Sequence, residues 1–283
     1  MLTIAQLRDE GAMRLQGAGF DRESAQFDVL RLLSYVLEKP SSWLYSHLDE
    51  VVDGHPVIAF EQLLHERSKG VPIAYLLGEV GFWRLQLKVS PATLIPRPET
   101  ELIVSTALQL MPQHHVVSAL DLGTGSGAIA LALAQERPDW IIRGYDHVPE
   151  AVALAQHNAA LNHLQQVSFA CHDWNQSLPY WPCDLVVSNP PYINALDPHL
   201  SQGDVRFEPR SALVSEASGL ADLQTVIKRA TQLLKPSGLL LIEHGYEQGQ
   251  SVEALLHAAG FQNLIAEFDL QGHWRVSGGY WHL

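Results

Sequence analysis

Asn189-Pro190-Pro191-Tyr192 places a side-chain amide, two prolines and an aromatic ring directly after the apolar run Asp184–Ser188. Proline cannot donate to a sheet ladder, so a strand ends at Asn189 and the chain leaves in a stiff, extended turn. The amide, the fixed backbone carbonyls and the ring then stand at the carboxyl end of a strand, the edge where open α/β sheets bind ligands. Such a set suits a planar nitrogen. The Asn189 side-chain oxygen and the Pro190 carbonyl can accept its two N–H groups, and Tyr192 can stack on its plane. A proline-rich turn closed by a surface tyrosine fits the same four residues, so the rest of the chain has to decide.

A second set precedes it. Gly123-Thr124-Gly125-Ser126-Gly127 lets the backbone turn tightly and approach a ligand at the start of a helix. Gly123-x-Gly125-x-x-Ala128 also fits a loose dinucleotide fingerprint. Asp146 ends the next strand, 23 residues after Gly123, where either class holds ribose hydroxyls with a carboxylate; a helix cap ahead of Pro149 is the plainer role. Asp173-Trp174 follows a third strand, and the indole suits stacking on an adenine ring or plugging the core. Asp121 either helps hold a cofactor amino group or orients the glycine loop. Nicotinamide enzymes have no use for Asn-Pro-Pro-Tyr at the fourth strand, whereas a transferase acting on a delocalised nitrogen does. Such a nitrogen is a poor nucleophile that has to be held in line with an activated methyl, and no matched general base is needed because the methylated product sheds its proton readily.

The elements that position these residues follow from the pattern. Residues 1–72 read as helices: Thr3 and Asp21 cap the first two, Ser41 or Ser42 a short third around Trp43, and Asp53 opens a fourth to Lys69-Gly70. In residues 73–95, period-2 alternation from Trp83 to Val89 with Gly78 and Gly81 as punctuation predicts a hairpin linker. Pro98 starts a helix with Glu99 and Glu101 at its positive end. From Val116, strands alternate with helices, and a final strand, Arg275–Trp281, arrives without a helix before it and is predicted antiparallel. The domain carrying the chemistry is 96–283.

Together these features closely resemble the peptide chain release factor glutamine N5-methyltransferases (HemK/PrmC type), a class I S-adenosylmethionine-dependent methyltransferase family. The resemblance rests on the helical amino-terminal segment, Leu94–Glu101, Asp121–Gly127, Ser188–Tyr192, Phe207–Arg210 and Leu234–Gly238. It implies an α/β fold: a seven-stranded, doubly wound, Rossmann-like sheet with a small all-α domain joined by a β-hairpin. It implies transfer to the glutamine of a Gly-Gly-Gln motif in bacterial release factors. By position, Gly123, Thr124, Gly125, Ser126, Gly127, Asp146, Asp173, Trp174 and Asn189 would bind S-adenosyl-L-methionine, with S-adenosyl-L-homocysteine as product. Asn189, Pro190, Pro191 and Tyr192 would hold the glutamine, with Asn189, Pro190 and Tyr192 as catalytic groups. The helical domain would dock the release factor. Glu243-His244-Gly245 departs from the family's more usual apolar middle residue and is expected off the site. Arg97, Glu99 and Phe207–Arg210 line a peptide entrance or serve as a helix start and a salt bridge.

Composition narrows the remaining classes. The chain has 283 residues, 47% hydrophobic and 17% charged, with a formal net charge of −13. A duplex-gripping protein draws its affinity from basic residues, and residues 1–70 carry 11 acidic against seven basic ones. That argues against an adenine-N6 DNA methyltransferase, which shares Asn-Pro-Pro-Tyr, and against direct nucleic-acid binding. A sister glutamine methyltransferase acting on a ribosomal protein shares both motif and chemistry; a scaffold that kept only the fold would not need both motifs intact. No metal is expected: the 14 histidines fall into no ligand spacing, and His114-His115 reads as a polar loop. With Cys171 and Cys183 unpaired by spacing, no signal-peptide pattern and no long apolar run, a monomeric cytoplasmic enzyme without membrane association is expected.

Overall fold

The computed structural model describes residues 2–112 and 115–282; His114 lies outside them. The chain divides into two compact units, Met1–Gly78 with Gln202–Phe207, and Glu79–Ser201 with Glu208–Leu283.

The smaller unit contains β1 (Leu2–Thr3), α1 (Ile4–Gly17), α2 (Arg22–Leu37), α3 (Ser41–Ser46), β2 (Val51–Val52), α4 (His55–Ser68) and α5 (Ile73–Leu77). Thr3 closes a full capping box on α1, accepting from the Gln6 amide while the Gln6 side chain accepts from Thr3. Asp21 caps α2 by accepting from the Ser24 amide at 2.9 Å. The expected caps on α3 and α4 differ. Pro40 precedes α3, and Gly54 at φ 67° precedes α4, so neither Ser41, Ser42 nor Asp53 caps a helix. Residues 73–77 are helical where an extended hairpin arm was expected. Pro72 presets the entry, Gly78 at φ 70° ends the turn, and burying Ile73 and Leu77 outweighs local strand preference. Two-residue β1 and β2 pair antiparallel, too short to leave a sequence signal.

In the larger unit the hairpin β3 (Glu79–Phe82) and β4 (Leu85–Lys88) contributes Phe82, Leu85 and Leu87 to the core. A turn at Pro98–Thr100 leads into α6 (Glu101–Leu110). There follow β5 (Ser118–Leu122), α7 (Ala128–Glu136), β6 (Ile141–Asp146), α8 (Pro149–Leu161), β7 (Ser168–Cys171) and β8 (Cys183–Ser188). Short β9 (Ile193–Asn194) and β10 (Val214–Ser215) pair across the long connection, ahead of α9 (Glu216–Gly219) and α10 (Ala221–Leu233). The chain ends in β11 (Leu234–Glu243), α11 (Gly249–Ala259), β12 (Phe261–Phe268) and β13 (Trp274–Trp281).

The expected seven-stranded sheet forms in the order β12-β13-β11-β8-β5-β6-β7. β13 enters antiparallel to both β11 and β12, as its missing crossover helix requires. β11 begins earlier than expected, at Leu234 opposite Cys183, with an irregularity before Leu239. Near this sheet edge Asp184 accepts from the Ser118 hydroxyl (2.6 Å) and from Lys235 (2.8 Å), tying three strands together. No helix among the described residues is long and apolar enough to cross a membrane.

Candidate active site

The chain moves outward through β5, β6 and β7, then returns to place β8 on the other side of β5. Loops leaving the carboxyl ends of β5 and β8 therefore diverge at the point where strand order reverses, and a cleft opens between them. Leu122 and Ser188 face each other at the end of this pair, and the Ser188 hydroxyl donates to the Leu122 carbonyl at 2.6 Å. One residue beyond stand Gly123 and Asn189. The sheet topology thus sets the glycine loop beside Asn-Pro-Pro-Tyr, 66 residues apart in sequence.

Two glycines in this loop are required by shape. At Gly123 φ is 75°, and an added Cβ would lie 2.7 Å from the Trp174 ring. At Gly125 φ is 54°, but an added Cβ meets nothing within 4 Å, because this residue faces the open cleft. Gly123 and Thr124 both donate to the Tyr145 carbonyl, at 2.8 and 3.0 Å, which pulls the loop over the end of β6. Asp146 braces it further: one carboxylate oxygen accepts from the Gly125 amide at 2.9 Å, the other from Val148 at 3.0 Å. Each oxygen keeps a lone pair for a hydroxyl donor.

Of the predicted site residues, Gly123, Thr124, Gly125, Ser126, Asp146, Trp174, Asn189 and Pro191 line this cleft. Gly127 starts α7 in a left-handed conformation beneath the loop. Pro190 is buried and Tyr192 half-buried. Asp173 is not in the cleft wall; its carboxylate accepts from the Asn175 amide at 2.8 Å. Trp174 is core-packed and also lines the cleft, with its indole N–H donating to Asp222 at 3.2 Å.

Asp121 is fully buried, and burial pushes its carboxyl up to about 7 against the hydrogen bonds that favour the anion. One oxygen accepts from the Thr124 hydroxyl at 2.7 Å and from the Ala130 amide at 3.3 Å; the other is buried without a partner among the described residues. Of its two sequence readings, orienting the loop is the one these contacts carry.

The network around Asn-Pro-Pro-Tyr was only partly legible. Asn189 donates through Nδ2 to the Thr100 hydroxyl at 3.1 Å. The Tyr192 phenol donates to Glu243 at 3.2 Å, and its carbonyl accepts from Gln248 at 3.0 Å. Glu243 was expected off the site. It reaches the site because β11 lies parallel to β8, with Ile242 paired to Ser188, so Glu243 sits at the same edge as Asn189. Burial raises its carboxyl to about 7 despite opposing hydrogen bonds from Thr100 and Tyr192 and the nearby Arg275. A carboxylate ending the apolar run Leu239–Ile242 was the signal available in the sequence. His244 is fully buried between Ser277 (2.8 Å) and the Gly245 carbonyl (2.9 Å), and burial holds its pKa below the ordinary value. Arg97 pairs with buried Glu208, which also accepts from the Ile95 amide at 3.1 Å. This is the salt-bridge reading of Arg97, and it ties Leu94–Glu101 to Glu208 within the larger unit.

Comparison with known proteins agrees with this arrangement. A family profile described as a methyltransferase domain matches residues 113–271, and one described as the PrmC N-terminal domain matches residues 6–78. The release factor glutamine methyltransferase of Vibrio cholerae is 45% identical over 281 residues, covering 98% of this chain and 96% of that protein. Its Pseudomonas aeruginosa counterpart is 46% identical over 261 residues, covering 92% of this chain and 94% of the relative. Among solved structures, a methyltransferase from Pyrococcus furiosus aligns with a TM-score of 0.52 at 16% identity, covering 70% of this chain and 90% of that one. At that identity the likeness speaks for the fold alone. The chain belongs to the release factor glutamine methyltransferase family.

Proposed function

We propose that this enzyme methylates the side-chain nitrogen (N5) of the glutamine in the Gly-Gly-Gln motif of bacterial peptide chain release factors, using S-adenosyl-L-methionine. The observation that carries the reading is the adjacency of Asn189 and the glycine loop at the β5–β8 switch point, in a chain whose relatives bear the release factor glutamine methyltransferase name.

The cleft suits such a cofactor. Gly125 leaves open space where any side chain would intrude, Asp146 offers acceptor lone pairs at the end of β6, and the Trp174 ring forms part of the wall. When bound, S-adenosylmethionine supplies a methyl carbon activated on a sulfonium and leaves as S-adenosyl-L-homocysteine. Gly123–Gly127, Asp146 and Trp174 would hold it. Asn189 would accept one N–H of the substrate amide through Oδ1, and the Pro190 carbonyl the other. Two acceptors fix the amide plane and stabilise positive charge as it develops on nitrogen, without reorganising at the moment of transfer. Tyr192, its hydroxyl anchored on Glu243, would stack on the amide. The nitrogen then loses its extra proton to solvent, so no side chain has to act as base. The helical unit, matched by the PrmC N-terminal profile, would dock the body of the release factor.

The test is methyl transfer from labelled S-adenosylmethionine to a release factor, a ribosomal protein and DNA in parallel. Label in the release factor, lost when the Gly-Gly-Gln glutamine is replaced, is the expected result. Label in the ribosomal protein or DNA instead would overturn the substrate assignment.

A further inference from the structure

The peptide group that follows Tyr192 is held at both ends. Its carbonyl accepts from Gln248 Nε2 at 3.0 Å, and its N–H, on Ile193, donates to the Leu213 carbonyl at 2.9 Å. The phenol end of the same residue donates to Glu243 at 3.2 Å. Gln248 is turned the right way for its part. Its Oε1 accepts from the Gly245 amide at 2.9 Å; because that N–H is a donor, it fixes which end of the side-chain amide is oxygen and leaves the NH2 group facing Tyr192. Nε2 also reaches the Ser218 carbonyl at 3.5 Å. The backbone opposite is shaped around this bond. Ala217, Ser218 and Gly219 follow one another in the left-handed region, at φ 51°, 58° and 85°. Residues with side chains adopt that conformation in succession only where their surroundings hold them there. At Gly219 an added Cβ would stand 2.2 Å from the Tyr192 carbonyl oxygen and 2.7 Å from Gln248 Nε2. The turn thus brings bare backbone against the bond between Gln248 and Tyr192.

We infer that Gln248 is a positioning residue: by donating to the Tyr192 carbonyl it fixes the peptide plane that aims the Tyr192 ring at the substrate amide. The inference rests on the stacking role proposed above for Tyr192. The direction in which a ring leaves the backbone is set by the peptide groups on either side of its Cα. The bond to Glu243 fixes only the tip of the ring. A ring held at the tip alone swings about it, and an amide resting on that ring loses its alignment with the methyl donor. Gln248 supplies the second anchor from the start of α11, 56 residues away in sequence.

Two variants separate this role from a purely structural one. Gln248→Glu keeps an acceptor for the Gly245 amide but, ionised at neutral pH, has no donor for the Tyr192 carbonyl. Gln248→Met keeps the length of the side chain and loses both bonds. In methyl transfer from S-adenosylmethionine to a release factor, both variants are expected to lower kcat by about 10- to 100-fold with an unchanged KM for S-adenosylmethionine. In protein labelled with 13C-tyrosine, the Tyr192 ring signals, assigned by their loss in Tyr192→Phe, are expected to shift or broaden in both variants. Those of Tyr145, whose carbonyl holds the glycine loop, should keep their positions. Native kcat in Gln248→Glu would overturn the inference, even if Gln248→Met were impaired, because the Gly245 contact would then account for the whole effect. Tyr192 signals unmoved in both variants would overturn it as well. A protein whose Tyr192 signals respond as expected, yet which methylates no release factor, would instead overturn the substrate assignment and leave the anchoring of Tyr192 by Gln248 standing.

Discussion

Asn189 and Asp121 illustrate two ways in which a single side chain is set by what surrounds it. Asn189 lines the cleft with its Nδ2 committed to Thr100, so truncation removes an acceptor and leaves the glycine loop untouched. Asn189→Ala is expected to cut methyl transfer by about 100-fold or more, in the range seen for loss of a preorganised polar group, while calorimetric binding of S-adenosylmethionine survives. Transfer at native rates would refute the amide clamp. Asp121 is governed by burial, which lifts its carboxyl from 3.8 in the unfolded chain to about 7 in the fold. The folded state therefore holds this proton more tightly than the unfolded one, and the stability this contributes is complete below 3.8 and lost as pH rises through about 7. Asp121→Asn, which never ionises, should gain melting temperature relative to the native protein between about pH 5 and 8. A difference that is flat across that range would show that Asp121 titrates normally.

Elements are held at their ends more by hydrogen bonds than by propensity. The Thr3–Gln6 capping box satisfies two amides at the start of α1, with bonds of 2.8 and 3.2 Å. Thr3→Ala should cost about 1 kcal/mol in urea unfolding, with no change in kcat, since the cap lies in the helical unit. Where a helix carries no polar cap the local signal misleads: α3 and α4 begin after Pro40 and Gly54, although serine and aspartate stand nearby. In these two the residue before the helix, Pro40 or Gly54, makes no side-chain cap hydrogen bond. Helix α5 is a third case, a five-residue helix that burial stabilises and periodicity does not reveal.

At the scale of the molecule, chain segments far apart in sequence are tied by buried charges. Arg67 lies in the helical unit between Asp28 at 2.6 Å and Asp204 at 3.0 Å, and Asp204 belongs to the long connection that follows Asn-Pro-Pro-Tyr. Its guanidinium also donates to the Val71 carbonyl at 2.9 Å and lies over the Phe20 ring. Removing the arginine strands the Asp28 carboxylate in a buried site. Arg67→Ala is expected to destabilise the protein by about 3–5 kcal/mol and to expose the 202–207 segment to limited proteolysis. Asp28→Asn in the same background should recover part of the loss. A melting temperature and cleavage pattern equal to the native ones would show that the ion pairs contribute nothing.

The sequence by itself determined the alternation of strands and helices, the antiparallel entry of β13, and the two motifs, because periodicity, proline and glycine act over a few residues. The glycine loop and Asn-Pro-Pro-Tyr were legible for that reason: each is contiguous, and each follows an apolar strand whose carboxyl edge could be inferred. Tertiary structure alone decided which distant groups meet there. Thr100 ends a turn before α6 and Glu243 ends β11, 143 positions later, and nothing local relates them. Thr100 meets Asn189, and Glu243 meets Tyr192 because the sheet places β11 against β8 in parallel register. The same long-range placement brought Glu243 to the site. Local sequence specifies which groups are available; strand order, set by how the whole core packs, specifies which of them touch.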